Sequence, residues 1–186
     1  AEEFREALSV LSCDLWITIT DRAHFGHVSD VFPGARIFLV SNRGRDIAPF
    51  LAIAPMVVAQ GYQLSLKLHS KRSLHRVDGD IWRKNLVNGL LPRRIDAELM
   101  IKTMNRHMDI GVIAPEGHCF RLAAWRGNND ALLTRLARLS GISVKPEEVF
   151  IAGSMYWFRP SALASLLALP IQTGDFEFED AQVDGT

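Results

Sequence analysis

Residues 41–73 read SNRGRDIAPFLAIAPMVVAQGYQLSLKLHSKRS, and this stretch decides the fold that the sequence predicts. Two apolar runs, residues 35–40 and 64–68, each stop at a polar loop. Between them, apolar residues recur every three or four positions from Ile47 to Val58, a spacing typical of a helix. The stretch therefore predicts a strand, a loop, a helix, a second strand and a second loop.

The two loops concentrate positive charge. Open sheets of parallel strands joined by helices bind ligands at the edge where the strands end. We therefore expect the strands that end near Val40 and Leu68 to be neighbours, with their basic side chains in one cleft. Arginine and lysine at such an edge suit a phosphorylated ligand. The basic residues of the two loops are Arg43, Arg45, His69, Lys71 and Arg72.

The first loop, Asn42-Arg43-Gly44-Arg45-Asp46, favours an anion for a structural reason. Gly44 permits a turn in which backbone N–H groups point outward, and the next helix begins at about Asp46 with the positive end of its dipole. Asp46 has two interpretations: it caps this helix, which is the commonest role of Asp there, or it contacts a ligand. Neither arginine lies on an evident apolar face, so the pair is hard to explain as structure alone.

The second loop contains a polar row that begins within the preceding strand. Lys67, His69 and Lys71 alternate along the chain, and alternate residues of a strand point to the same face. The row indicates either a ligand site or a solvent-exposed strand end. His69 could donate a hydrogen bond, bind phosphate or act as a base.

The bulk properties limit the functional classes. Of the 186 residues, 48% are apolar and 23% are charged, which is ordinary for a globular protein. The formal net charge of zero argues against general electrostatic binding of nucleic acid. The glycine pattern of dinucleotide sites and the P-loop pattern are absent, which argues against both of those functions.

The length predicts one domain, residues 1–186, and we expect it to be excised from a longer protein. No apolar run reaches the roughly 18 residues of a membrane span. Cys13 and Cys119 fit no metal-binding spacing and are expected to be reduced thiols in or near the core.

Strands and helices alternate, which predicts an α/β fold with a mainly parallel sheet and helices on both faces. Helices are expected at residues 2–11, 22–31, 81–90, 96–107, 130–140 and 161–168, besides the one from Ile47, which Pro55 should kink or split. Strands are expected at 15–20, 35–40, 64–68, 110–114 and 149–158, the last as one long strand or a bent pair. Residues 115–129 lack a period and predict a loop.

Five motifs in order resemble the rhamnan synthesis protein F family, bacterial proteins of polysaccharide and lipopolysaccharide O-chain assembly. The resemblance covers about residues 11–186. The motifs are SNRGRDIAPFL at 41–51, LKLHSKRS at 66–73, the pair Trp82-Arg83, AGSMYWFRPSAL at 152–163 and VDGT at 183–186. Their order and spacing are more specific than any one of them.

The resemblance implies a glycosyltransferase of the GT-A type, which would transfer a sugar from a nucleotide-activated donor to a glycan or lipid-linked glycan acceptor. It implies a cytoplasmic location, with the inner face of the cell membrane left open. No cofactor is implied with certainty, and dependence on Mg²⁺ or Mn²⁺ is left open. Family members carry an earlier strand, and a His and a helix after the DGT motif, so the fold is expected to be incomplete at both ends.

Site residues follow from matching the motifs to such a fold. Asp184 is expected to be the catalytic base, although a charged tail is more often simply solvated. KLHSKR stands where a metal-binding Asp-x-Asp would be expected, so no metal ligands are predicted. The expected substrate-binding residues are Asn42, Arg43, Gly44, Arg45, Asp46, Lys67, His69, Lys71, Trp82, Arg83 and Ser154.

Two further hypotheses concern function without catalysis. In the first, the same sheet edge is a nucleotide- or glycan-binding module, and the carboxylate is incidental. In the second, the chain is a structural partner in a polysaccharide-assembly complex. That role would be favoured if Trp82, Trp125 and Trp157 formed one exposed patch, although core packing is the commoner fate of each.

Overall fold

The computed structural model describes residues 2–9, 11–70, 79–91, 94–127 and 129–179. In this part of the chain the helices are α1 (Glu2–Leu8), α2 (Phe25–Val31), α3 (Ile47–Ala59), α4 (Gly79–Leu90), α5 (Arg94–Arg106), α6 (Leu122–Trp125), α7 (Asp130–Ser140) and α8 (Ala164–Leu167). The strands are β1 (Trp16–Ile19), β2 (Arg36–Leu39), β3 (Ser65–Lys67), β4 (Val112–Ile113), β5 (Cys119–Arg121), β6 (Val149–Ile151) and β7 (Tyr156–Phe158). Short 3-10 helices cover Arg22–His24, Pro160–Leu163 and Thr173–Asp175.

The predicted alternation of parallel strands and helices is confirmed at β1 and β2. These strands pair in parallel, with Trp16 opposite Arg36 and Ile19 opposite Leu39. The 3-10 turn and α2 form the connection between them. This is the strand–helix–strand unit that an alternating sequence pattern predicts.

The prediction of a mainly parallel sheet is wrong for the described strands. β7 is the centre of a three-stranded antiparallel sheet, with β3 on one side and β4 on the other, and β5 pairs antiparallel with β6. Of the two alternatives left open for 149–158, one long strand or a bent pair, the structure has the pair: positive φ at Gly153 (83°) and Ser154 (52°) turns the chain between β6 and β7. The fold is therefore mixed α/β, built from small sheets.

One predicted strand pairing is also wrong. β2 pairs with β1, and β3 pairs with β7, so the strands ending near Val40 and Leu68 are not partners among the described pairings. Hydrophobic periodicity places a strand but does not name its partner. The loops that follow these strands meet nevertheless, as described below.

The main core lies between α4, α5 and β7. Its fully buried side chains include Leu86, Leu90, Met104 and Met155. Trp157 belongs to this core, where its indole Nε1–H donates to the Leu90 carbonyl at 3.1 Å. Only 5% of Trp157 is exposed. Core packing, the commoner fate expected of each tryptophan, is thus confirmed for Trp157, and the exposed patch of three tryptophans that would favour a structural partner is not formed.

Several local predictions can be compared with the structure. α3 continues through Pro55 as a single helix, and Gly141, at φ 68°, ends α7 as expected. Residues 115–129 are not only a loop, since they contain β5 and α6. Cys13 and Cys119 are free, but both are exposed rather than buried. Within the described residues, no helix has the length and apolar character needed to cross a membrane.

Candidate functional site

The loop between β2 and α3 contains two consecutive residues in the left-handed region. Gly44 has φ 59° and Arg45 has φ 56°. Glycine adopts this conformation at little cost, whereas a residue with a side chain is strained by it. Such strain persists only where surrounding contacts impose it, and it is concentrated at functional sites. Here the contacts come from the C-terminal segment.

Residues 176–179 lie along this loop as a short antiparallel bridge, which we call the tail bridge. The Gly44 N–H donates to the Glu177 carbonyl at 3.0 Å, and the Glu179 N–H donates to the Asn42 carbonyl at 3.0 Å. The outward N–H that Gly44 was expected to offer an anion is therefore bonded within the protein. The turn was predicted correctly, and its hydrogen-bond partner was not foreseen.

Arg43 is held by the same segment. Its guanidinium donates to the Phe176 carbonyl at 2.7 Å and lies 3.4 Å from the centre of the Phe178 ring. A cation above an aromatic face is attracted by the negative charge of that face. Arg43 therefore joins the first loop to the tail bridge.

Asp46 does not cap α3, although it occupies the capping position. Its carboxylate instead forms an ion pair with Lys67, and this contact joins the first loop to the end of β3. The Lys67 ammonium also donates to the Ser154 carbonyl and to the Ser154 hydroxyl, each at 2.7 Å. A lysine has three donor protons. All three have acceptors within the protein, so Lys67 binds protein atoms from two separate loops.

His69 completes the contact with the turn between β6 and β7. Its Nε2 lies 2.6 Å from the Gly153 carbonyl oxygen, and because a carbonyl can only accept, Nε2 carries the hydrogen. Lys67 and His69 thus point to the same side, as their alternation predicts, and they bind successive residues of one turn, Ser154 and Gly153. We call Asp46, Lys67, His69 and Ser154 the basic cluster.

The electrostatics of the basic cluster follow from burial and pairing. Burial alone would raise the pKa of Asp46, but the charges of Lys67 and His69 and hydrogen bonds from Lys67 and Ser154 hold that pKa below its ordinary value. Burial lowers the pKa of Lys67, and the Asp46 carboxylate opposes this effect. We treat the pair as ionised because each ammonium proton has an oxygen acceptor.

Tyr156 is a member of this site that sequence reasoning missed. It lies directly opposite Lys67 in the β3–β7 pairing, and the Lys67 ammonium is 5.6 Å from the centre of its ring. Burial, with the nearby Asp46 carboxylate, raises the pKa of Tyr156 to about 12, so the phenol is neutral at physiological pH. The residues MYWF predicted a strand, but only the strand pairing places Tyr156 beside the lysine.

The remaining predicted residues are divided between the site and its surroundings. Trp82 borders the turn: a Cβ built on Gly153 would lie 3.4 Å from its Nε1. Arg83 points elsewhere and forms an ion pair with Glu3 of α1 at 2.7 Å. Lys71 and Asp184 lie outside the described residues.

A second feature missed in the sequence is an Asp-x-Asp pattern, Asp78-Gly79-Asp80. Asp80 lies in the first turn of α4 with 56% of its side chain exposed, and Asp78 is outside the described residues. The described residues contain no group of three or more His, Cys, Asp or Glu side chains arranged for a metal ion. The basic cluster itself does not suit a divalent cation, because Lys67 already neutralises its one carboxylate.

Comparison with known proteins places the chain in a family. Residues 2–186 match the family described as "Rhamnan synthesis protein F". The chain belongs to the rhamnan synthesis protein F family. Two relatives are 40% identical to it over 147 residues, and both are called "Uncharacterized protein WxcX". They come from Xanthomonas campestris pv. campestris, strains B100 and ATCC 33913.

The alignment with each relative covers 78% of this chain but only 21% of the relative. The chain therefore spans about a fifth of the length of these members of the rhamnan synthesis protein F family. No solved structure matches the chain. Three of the motifs that carry the family resemblance meet in the basic cluster: SNRGRD supplies Asp46, LKLHSKR supplies Lys67 and His69, and AGSMYW supplies Ser154.

Proposed function

We propose that the chain is a glycosyltransferase domain of bacterial cell-surface polysaccharide synthesis, making rhamnan or lipopolysaccharide O-antigen. It would transfer a sugar from a nucleotide-activated donor to a growing glycan, free or lipid-linked. The observation that carries this proposal is the meeting of three separate family motifs in the basic cluster. Residues 21 positions apart, Asp46 and Lys67, form one largely buried ion pair, and Ser154 joins them from a third segment.

In this proposal the members of the cluster have different roles. Lys67 is a positioning residue, because its three protons are bonded to Asp46 and Ser154. It holds the first loop against the turn between β6 and β7. His69 is also a positioning residue, because its Nε2–H is bonded to the Gly153 carbonyl, and the side chain proposed to face the donor diphosphate is Arg45, in its left-handed conformation. Arginine suits this role because its planar fork can donate two parallel hydrogen bonds to a phosphate.

The proposed reaction is a single displacement with inversion. The Asp184 carboxylate accepts the proton of the acceptor hydroxyl, and that oxygen forms a bond to the anomeric carbon of the donor sugar. The bond from the anomeric carbon to the diphosphate oxygen breaks, and its electron pair leaves with the diphosphate. Arg45 stabilises the negative charge that develops there. The tail bridge ends at Glu179, five positions before Asp184, which supports a base near the first loop.

The Asp-x-Asp pattern supports a metal-dependent form of the same proposal. Asp78 and Asp80 offer carboxylate oxygens, the ligands that Mg²⁺ and Mn²⁺ prefer. A divalent cation bound there would neutralise the leaving diphosphate in place of the basic residues. The two forms differ in one measurable property, their sensitivity to a chelator.

Nucleotide binding is the first test. A ligand that binds only the folded chain raises its melting temperature, so UDP, GDP and dTDP can be compared in one thermal-shift series. Arg45→Ala should weaken binding of the best diphosphate by about 1.5–3 kcal/mol, the scale of a hydrogen bond to a charged group. Arg45→Lys should weaken it as well if the contact is bidentate. Arg135→Ala, which removes an exposed arginine of α7, is the matched control and should bind normally.

Sugar transfer by the full-length protein is the second test. The proposal expects transfer from a nucleotide sugar, and it expects Asp184→Asn to abolish most of it. Activity that survives EDTA supports the basic residues, whereas activity lost with EDTA and restored by Mn²⁺ assigns the neutralising role to a metal. If a nucleotide binds but no donor is turned over, the chain is a nucleotide-binding module and the transferase proposal fails.

A further inference from the structure

A row of aromatic rings begins beside the basic cluster and leads to the surface. Trp82 of α4 stacks on Phe120 of β5, with ring centres 6.2 Å apart and planes at 16°. Phe120 in turn contacts Trp125 of α6 at 5.3 Å. We call Trp82, Phe120 and Trp125 the aromatic row. Its outer member, Trp125, is 57% exposed.

The inner end of the row touches the turn that the basic cluster holds. The Gly153 carbonyl accepts the hydrogen bond from His69 at 2.6 Å, and a Cβ on Gly153 would lie 3.4 Å from the Trp82 Nε1. On the same side, the Ala152 N–H donates to the His118 carbonyl, and the His118 ring lies edge-on to Trp82 at 4.5 Å. One turn therefore separates the basic cluster from the aromatic row.

Core packing accounts for only part of the row. Trp82 and Phe120 are partly buried and contact other side chains, as aromatic residues of a core do. Trp125 is different, because a large ring that leaves more than half of its surface in water gains little from burial there. Arg126, the next residue in the chain, forms an ion pair with Asp130, Nε to Oδ1 at 3.1 Å, with 31% and 66% of the two side chains exposed. The exposed ring of Trp125 is thus followed in the chain by residues with exposed hydrogen-bonding groups.

This combination matches the chemistry of a sugar. One face of a pyranose presents C–H groups of slight positive charge, which pack on the negative face of an aromatic ring. The hydroxyl groups at its edge both donate and accept hydrogen bonds, which suits a neighbouring arginine and carboxylate. An aliphatic protein partner would need neither property. The row also starts where the proposed donor site ends, which is where an acceptor must enter.

We propose that the aromatic row is a saccharide subsite, with Trp125 as its outer stacking platform for the acceptor glycan. This inference rests on the proposed transferase function for the name of its ligand. The binding itself can be tested without any donor or any turnover.

The test uses saturation-transfer NMR on the chain with a rhamnose trisaccharide as the probe. We expect saturable binding to the wild type and about tenfold weaker binding to Trp125→Ala, which corresponds to about 1.4 kcal/mol. Trp125→Phe keeps a ring and should retain most of the affinity. Phe25→Ala removes an exposed aromatic side chain of α2, outside the row, and should bind like the wild type. The melting temperature of each variant shows that it is folded.

Each alternative outcome has a defined meaning. Equal binding by the wild type and Trp125→Ala overturns the inference, and so does the absence of saturable binding. If the trisaccharide does not bind but a nucleotide diphosphate does, the subsite is wrong and the transferase proposal stands. If the trisaccharide binds through Trp125 and no nucleotide binds, the subsite stands and the transferase proposal fails. Self-association of the wild type that Trp125→Ala abolishes, without sugar binding, would make the row a protein interface instead.

Discussion

Replacing Lys67 by methionine tests the central contact of the basic cluster. Methionine keeps most of the length and apolar volume of the lysine stem but removes the ammonium. Three oxygens then lose their donor: the Asp46 carboxylate, the Ser154 carbonyl and the Ser154 hydroxyl. The side chains of Lys67 and Asp46 are only 3% and 16% exposed, so water cannot fully replace the lost contacts.

The expected cost at neutral pH is about 3 kcal/mol of unfolding free energy. Removing one partner of a buried ion pair typically costs about 3–5 kcal/mol, because the other charge stays buried without compensation. We expect the lower end of this range, since Asp46 keeps a little contact with solvent. An exposed lysine gives the control: Lys84→Met on α4 should change stability by less than about 0.5 kcal/mol.

The pH dependence gives a sharper signature than the magnitude. In the wild type the pKa of Asp46 is lowered, so its stabilising contribution is present at neutral pH and is lost as the pH falls through that lowered pKa. In Lys67→Met the burial remains while the main attraction is gone, so the pKa of Asp46 should rise. The folded variant then takes up a proton more readily than the unfolded chain. The difference in unfolding free energy between the wild type and Lys67→Met should therefore shrink as the pH falls from neutral to about 4.

Urea unfolding followed by tryptophan fluorescence measures both effects, since the chain has four tryptophans. Asp46→Asn, alone and combined with Lys67→Met, completes a double-mutant cycle. The double variant should be more stable than the sum of the two single losses predicts, by at least about 1.5 kcal/mol. A loss below about 1 kcal/mol for Lys67→Met would be the value of an exposed pair and would refute the reasoning. A difference in unfolding free energy between the wild type and Lys67→Met that does not change with pH would also refute it.

Two further stability predictions use the same titration. Gly44→Ala should cost at least about 1 kcal/mol more than Gly61→Ala: both glycines have positive φ, but a Cβ on Gly44 would lie 2.5 Å from the Phe176 ring while Gly61 has open space. Equal costs would mean that the Phe176 ring does not pack against Gly44 in solution. Arg159→Met should cost about 2–4 kcal/mol, because this buried arginine donates to the carbonyl of Met104 in α5 and to the carbonyls of His107 and Ile110 in the segment after it. A loss no larger than that of the exposed-arginine variant Arg135→Met would contradict this role.

The sequence predicted the local elements well because their signals are local. The three- and four-residue spacing from Ile47 is the spacing of a helix face, and α3 forms there. The apolar runs at 35–40 and 64–68 contain β2 and β3. Gly141 ends α7 because glycine tolerates the left-handed conformation.

The partners of these elements were not predictable in the same way. Period-two patterning tells which residues share a face, but the pairing of β3 with β7 joins residues about 90 positions apart. Tyr156 entered the site only through that pairing. Asp46 shows the same limit: its position in the chain indicates a cap, whereas a buried lysine from another strand is a stronger partner for its charge.

The tail bridge changes how the two predicted functional motifs are related. From the sequence, the first loop was expected to hold the donor and the C-terminal DGT to supply the base. The structure connects the first loop with the segment just before DGT, through the two backbone hydrogen bonds of Asn42 and Gly44 and through the guanidinium of Arg43. The charged guanidinium of Arg43 therefore contacts the tail bridge. If the transferase proposal is right, a substitution at Arg43 would affect the placement of the base as well as the donor loop, and so would act on the catalytic rate beyond any effect on nucleotide affinity.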